Sequence, residues 1–207
     1  MRTLALTLAV LAAAPSSAAA QVHGRFDGDL SLEAGLGGGV VIGETDEVIG
    51  AAVLDLRARY LDMAGLIVGA EVRPDGSHRV HLGADLRPLF MARFVLGASF
   101  HDRYWDRLVD SIGIDLGVAL TPLDETVGAA LMFGFGVDVP LVFFDDDGPA
   151  GLALRLFGRH VAAQGSDRFG PTDAAHDWVF GATLVVRGMV ATGAPGVEPR
   201  RYELPER

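Results

Sequence analysis

The stretch Arg79-Val80-His81-Leu82-Gly83-Ala84-Asp85-Leu86-Arg87 decides how the chain is read. Successive side chains of a strand point to opposite sides. Val80, Leu82, Ala84 and Leu86 therefore share one face, and Arg79, His81, Gly83, Asp85 and Arg87 share the other. Any antiparallel sheet with one wet face alternates in this way. The informative feature is the polar face, which mixes glycine with charges of both signs.

The same rule runs outward in both directions. Upstream it covers Arg25 to Ile42, Ala52 to Tyr60 and Ala64 to Val72; downstream it covers Ser111 to Leu120, Thr126 to Phe143, Gly151 to Val161 and Trp178 to Val190. Turn-forming clusters separate these runs: Gly43-Glu44-Thr45-Asp46, Pro74-Asp75-Gly76-Ser77, Pro122-Leu123-Asp124-Glu125, Asp145-Asp146-Asp147-Gly148-Pro149 and a longer loop from Ala162 to Asp177. Gly and Pro set the dihedrals of such turns and Asp bonds its own backbone. Eight strands are predicted.

On the polar faces Asp27, Asp29, Glu33, Asp55, Glu71, Asp85, Asp115 and Asp138 stand against Arg25, Arg57, Arg59, Arg73, Arg79, Arg87, Arg155, Arg159 and Arg187. That balance is nearly neutral although the chain carries a formal net charge of −10, so the acidic excess lies in the turns and the tail. A glycine-rich face of paired charges suits a narrow lumen, where small residues leave room and arginine forks meet carboxylates. The opposite face, bulkier and uncharged, suits lipid. Glycine on the lumenal face also implies that Gly117→Ser is much milder than Leu116→Arg, which puts a charge on the lipid face. Strands of nine or more residues fit a tilted membrane crossing, and lipid leaves no water to satisfy a sheet edge, so the strands must close into a barrel. Eight is a size whose interior side chains just fill. No apolar run approaches the length of a transmembrane helix.

These features resemble the small eight-stranded outer-membrane barrels of Gram-negative bacteria over roughly residues 22 to 190. Phe180-Gly181-Ala182-Thr183-Leu184-Val185-Val186 is similar to the C-terminal insertion signal of such barrels, in which alternate hydrophobics follow a glycine. It departs from the pattern at Val179, where a polar residue is usual, and in the tail that follows. Arg87-Pro88-Leu89-Phe90 and Leu108 to Gly113 are also similar to segments of barrels of this class. The resemblance implies an all-β, up-and-down transmembrane barrel in the outer membrane. Its implied partners are membrane lipids and, during insertion, the barrel-assembly machinery.

Residues 88 to 110 break the alternation. A ninth strand would conflict with the even strand count of bacterial single-chain barrels. Leu89, Ala92, Arg93, Leu96 and Phe100 recur at helical spacing, and Asp102 can cap a second helix carrying Tyr104, Trp105, Leu108 and Val109. Two short helices broken near residues 97 to 101 are predicted at the end of the barrel that holds the termini. They cover its mouth, lie at the membrane interface or dock a partner. Tyr104 and Trp105, with Trp178 and Phe180 on the last strand, are candidate interface anchors.

At the N-terminus Arg2, the apolar run Leu4 to Ala14 and the small residues Ala18-Ala19-Ala20 have the order of a secretory signal peptide. Residues 1–20 are accordingly expected to be a leader, residues 21–190 the barrel and residues 191–207 a disordered tail with three prolines and mixed charge. The chain has no cysteine, which removes disulfides and thiol nucleophiles. An acidic chain argues against nucleic acid.

Six histidines, at positions 23, 78, 81, 101, 160 and 176, form no recognised metal pair. His160 and His176, with Ser166 and Asp173, flank the one long loop, the single place where a catalytic group could assemble. Gln164-Gly165-Ser166-Asp167 matches no nucleophile elbow, and Gly35-x-Gly37-Gly38-Gly39 lacks the helix start of a phosphate loop. No catalytic, metal or cofactor site is assigned. Three functions stay open: a structural, non-conducting barrel of the outer membrane; a narrow pore or small-ligand barrel; and a soluble periplasmic, lipocalin-like barrel whose apolar face points inward.

Overall fold

The computed structural model describes residues 30–43, 48–96, 98, 100, 102–121, 128–144, 150–163, 176–190 and 192. The expected leader, Arg25, Asp27 and Asp29, the loop residues Ser166 and Asp173, and the tail apart from Thr192 lie outside the described residues.

Eight strands form one closed antiparallel barrel in chain order. They are β1 (Leu30–Ile42), β2 (Val48–Tyr60), β3 (Ala64–Val72), β4 (His78–Leu86), β5 (Gly113–Thr121), β6 (Gly128–Phe143), β7 (Gly151–Ala163) and β8 (His176–Val190). Closure is made by β8 on β1, in register from Leu30↔Val190 to Ile42↔Trp178. Most ends fall within a few residues of the alternation. Among the differences, β2 begins at Val48, and β5 begins at Gly113 because Ser111 ends the preceding helix.

The polarity of this barrel is inverted relative to a soluble one. Leu36 (66% exposed), Leu66 (62%) and Leu131 (54%) face outward, with Leu54, Leu56, Leu82, Leu116, Phe133, Phe135, Leu156 and Leu184 among the other exposed apolar residues. Arg59, Asp85, Asp115 and Arg155 are fully enclosed. A lipocalin-like binder needs the apolar face inward, and here it is outward.

Residues 88 to 110 supply two helices, α1 (Pro88–Leu96) and α2 (Arg103–Asp110). Pro88 opens α1, where its missing N–H is harmless. The Asp102 carboxylate caps α2 by accepting from the Tyr104 N–H at 2.9 Å and the Trp105 N–H at 3.1 Å. Strand order places both helices at the end of the barrel that holds Leu30 and Val190. Here β5 starts opposite Gly136, whereas β6 runs on to Phe143 paired only with β7. α2 packs beside this overhang. The Ser111 hydroxyl accepts from the Asp138 N–H at 2.8 Å, occupying a backbone donor that β5 does not reach, and the Arg103 guanidinium lies 3.9 Å from the Phe143 ring centre. Pro140 sits where the β6–β7 register shifts, a position suited to a residue without an N–H.

One expectation is corrected by the backbone. Gly117 faces the lumen, but a Cβ there would strike the Leu82 carbonyl oxygen and come within 2.6 Å of the Gly83 Cα. Glycine at this site serves the close approach of β4 and β5 as well as leaving space for charges. A serine at 117 is therefore not tolerated freely.

Candidate functional site

Among the described residues the largest convergence of charged side chains is in the lumen. Of the predicted lumenal residues, Glu33, Asp55, Arg57, Arg59, Glu71, Arg79, Asp85, Arg87, Asp115, Asp138, Arg155, Arg159 and Arg187 are all buried. Strand alternation aims them inward, and register pairs opposite signs at several places: Glu33 stands opposite Arg57 on one side and Arg187 on the other, and Asp138 opposite Arg155. Asp85, by contrast, faces Asp115, and Arg57 bridges the two.

Nearest the termini, Arg59 holds Asp85 bidentately at 2.8 and 2.7 Å and reaches Glu33 at 2.5 Å. Arg87 donates to Glu33 at 3.1 Å, to Asp138 at 2.8 Å and to Asp62 at 3.0 Å. One step further, Arg57 spans Asp85 at 2.8 Å and Asp115 at 3.2 Å, and Arg155 binds Asp138 at 2.9 Å. Asp55 takes Arg159 at 2.5 Å and the His81 ring at 3.1 Å. Each acid in this network meets at least one arginine, and most arginines bridge two acids.

Toward the opposite end the lumen turns apolar. Val41, Val53, Phe157 and Val179 pack as one cluster, and Ala119, Ala130, Met132 and Val161 as another. At that end Arg73 and Arg79 both bind Asp177, at 2.9 and 2.5 Å, and Arg73 also binds Glu71 at 2.9 Å. The arrangement can hold the wall rigid from inside.

Sequence reasoning did not single out Asp62, Arg107, Ser111 or Asp177. Asp62 lies in the β2–β3 turn, where Met63 N–H donates to the Tyr60 carbonyl at 3.0 Å. Leu61 and Asp62 both have positive φ, 48° and 60°, an arrangement usually given to Asn and Gly. Its carboxylate is buried and collects Arg87, Arg107 at 3.2 Å and Arg187. Burial acts to raise its pKa, but Arg187, Arg87 and Arg107 together hold it well below the usual carboxylate range. Arg107 comes from α2, so this turn fastens the helical cover to the barrel. Burial, reinforced by Arg187, pushes Arg107 down to about 9, which leaves it charged at neutral pH. Only an acid between two alternating runs, with no Gly or Pro beside it, marks this turn in the sequence.

Within the cover, Arg93 binds Asp110 at 2.6 Å and also binds Asp106. Two acids share one arginine. Burial raises the Asp110 pKa to about 6; Arg93 opposes the rise and Asp106 adds to it.

The four candidate anchors all lie on the outer surface. Trp178 and Phe180 stack with ring centres 5.6 Å apart, and His160 lies against Trp178 at 4.7 Å. His160 thus sits against the outer-face aromatics. Gly158 leaves room for the neighbouring rings, since a Cβ there would come within 2.6 Å of Phe135 and 3.0 Å of Phe180. Tyr104 and Trp105 meet edge to face at 5.6 Å on α2, toward the other end.

No protein-family model matches the chain, and no curated protein matches it. Among solved structures it is similar to Neisserial surface protein A, with a TM-score of 0.40 and 10% identity, over 76% of this chain and 96% of that one. A likeness at this level adds nothing to the barrel already described.

Proposed function

We propose that the protein is an outer-membrane β-barrel with a structural, membrane-stabilising role and no steady conductance. The observation that carries this reading is the inverted polarity: large apolar side chains are exposed around the wall while arginines and carboxylates are enclosed. In water that distribution would expose an apolar patch far beyond what a soluble monomer presents. In a bilayer it satisfies both faces. The leader-like first twenty residues and the resemblance of the last strand to an insertion signal favour the outer membrane, with lipids as lasting partners and the assembly machinery as a transient one.

The non-conducting part rests on the filling of the lumen. Buried ion pairs span it near the termini and two apolar clusters follow. Such an interior stiffens the wall and leaves no row of solvated charges to pass an ion. The reading assigns no enzymatic role.

Three measurements test it together. Unboiled protein in detergent should migrate differently from boiled protein, fractionation should place it with outer-membrane material, and planar bilayers should show no steady conductance. Equal mobilities would overturn the barrel, recovery in a periplasmic wash would overturn the membrane, and a stable unitary current would replace the structural role with a pore.

A further inference from the structure

We infer that the α1–α2 cover is a lipid-binding element whose outer face lies in the membrane interface on the side of the termini. The inference rests on the membrane reading above and extends it to a part of the chain that is not barrel.

The cover repeats the barrel's inverted polarity in helical form. Most of its ionic groups point inward: Arg93 is clamped between Asp106 and Asp110, and Arg107 reaches Asp62 inside the mouth. Arg103 lies along the Phe143 ring, and the exposed Asp102 is engaged as the cap of α2. Apart from Asp102, its exposed side chains are apolar or aromatic. Leu89, Ala92, Val95 and Leu96 recur at helical spacing on α1, and Leu96 is 79% exposed. Phe100 (57%) and Trp105 (54%) continue the face across the break and onto α2.

A helix whose purpose was only to cap a water-filled mouth would place its apolar side against the barrel and its charges in solvent. Here the order is reversed. Phe100 is also held in place, because its N–H donates 2.8 Å to the Asp106 carboxylate and the Arg93 guanidinium lies 4.6 Å from its ring centre. A pinned, exposed aromatic is what an interfacial anchor requires.

Lipid is the occupant because the face continues the barrel's own apolar band. α1 starts two residues after β4 ends at Leu86. The rim beside the cover adds exposed Tyr60, Leu141, Val142 and Phe144 at the same end of the barrel. A protein partner or a second copy would have to cover one part of a surface whose remainder faces acyl chains.

The two tryptophans of the chain make the test direct, since Trp105 sits on the cover and Trp178 on the barrel wall. Trp178→Phe and Trp105→Phe each leave a single emitter. Both are reconstituted in phosphatidylcholine vesicles with plain acyl chains and with chains brominated close to the headgroup. The expected result is blue-shifted emission from Trp105 and loss of its intensity in the brominated vesicles. Unquenched Trp105 beside quenched Trp178 overturns the inference and leaves the barrel in its membrane; if Trp105 is then still blue-shifted, protein covers it. Unquenched emission from both overturns the membrane reading itself. If Trp178→Phe does not fold, the difference between the intact protein and Trp105→Phe reports the same quantity.

Discussion

Replacing Leu116 with arginine separates a lipid-facing wall from a water-facing one. Leu116 sits near the middle of β5, 44% exposed, opposite Ala84 on β4 and Phe133 on β6. Its side chain projects outward and has no acid beside it in register. A charge at the bilayer midplane on the outside of a barrel costs about 2 to 4 kcal/mol. That is a shift of roughly thirty- to nearly a thousand-fold in the ratio of folded to unfolded protein, at about 1.4 kcal/mol per factor of ten. If the same face met water, an exposed Leu→Arg change would stay within about 0.5 kcal/mol. Reversible urea unfolding in vesicles, followed by the unboiled band on a gel, measures the difference. The cost should also shrink in bilayers of shorter lipids, which bring the interface closer to residue 116. A Leu116→Arg protein as stable as the parent in every bilayer would refute the assignment of faces.

Gly117→Ser should cost about 1 to 3 kcal/mol, as overpacking does, because the new Cβ meets the β4 backbone at Leu82 and Gly83; an unchanged urea midpoint would contradict the close approach of β4 and β5. Asp62→Asn should cost about 3 to 5 kcal/mol, the usual result of removing one partner from a buried ionic cluster, and adding Arg107→Gln should recover part of it; equal loss in the single and double variants would mean that the turn does not hold the cover. Asp110 has a folded pKa of about 6 against an unfolded value of about 3.9. Its neutral form therefore stabilises the docked cover below about pH 4, and this contribution is lost as pH rises through 6. Asp110→Asn should raise the thermal midpoint at pH 8 relative to the parent and leave it nearly unchanged at pH 4, and a pH-independent difference would show that the carboxylate is not strained.

The strands were legible because a barrel wall of this kind makes each of them obey the same two-residue rule with no exception for tertiary packing. Outward residues need only be apolar, and inward ones are small, paired in charge or packed in the two lumenal apolar clusters. That is why the alternation at Arg79 to Arg87 could be extended to eight runs, and why the buried charges were on the polar face of each. The helices were legible for a second reason: residues 88 to 110 exchange the period of two for helical spacing, with Asp102 where a cap is needed.

What remained hidden depends on geometry between strands. The alternation places Gly117 inside but says nothing of how closely β4 and β5 approach, which follows from the curvature needed to close eight strands. Asp62 reads as a solvated turn acid until the strand order brings Arg87, Arg187 and Arg107 to the same end. The stagger between β5 and β6 is likewise absent from any single run, and it explains the position of the cover. A wall whose strands end at different heights leaves one long edge, Val137 to Phe143, without a neighbour on the β5 side. In a membrane an unpaired edge is costly, so a segment must lie beside it. α2 does so with the Ser111 hydroxyl in place of a strand's carbonyl, and Arg107 on the same helix extends to the turn that holds the lumenal charges together. Covering the overhang and closing the ionic lumen are thus two tasks of one helix.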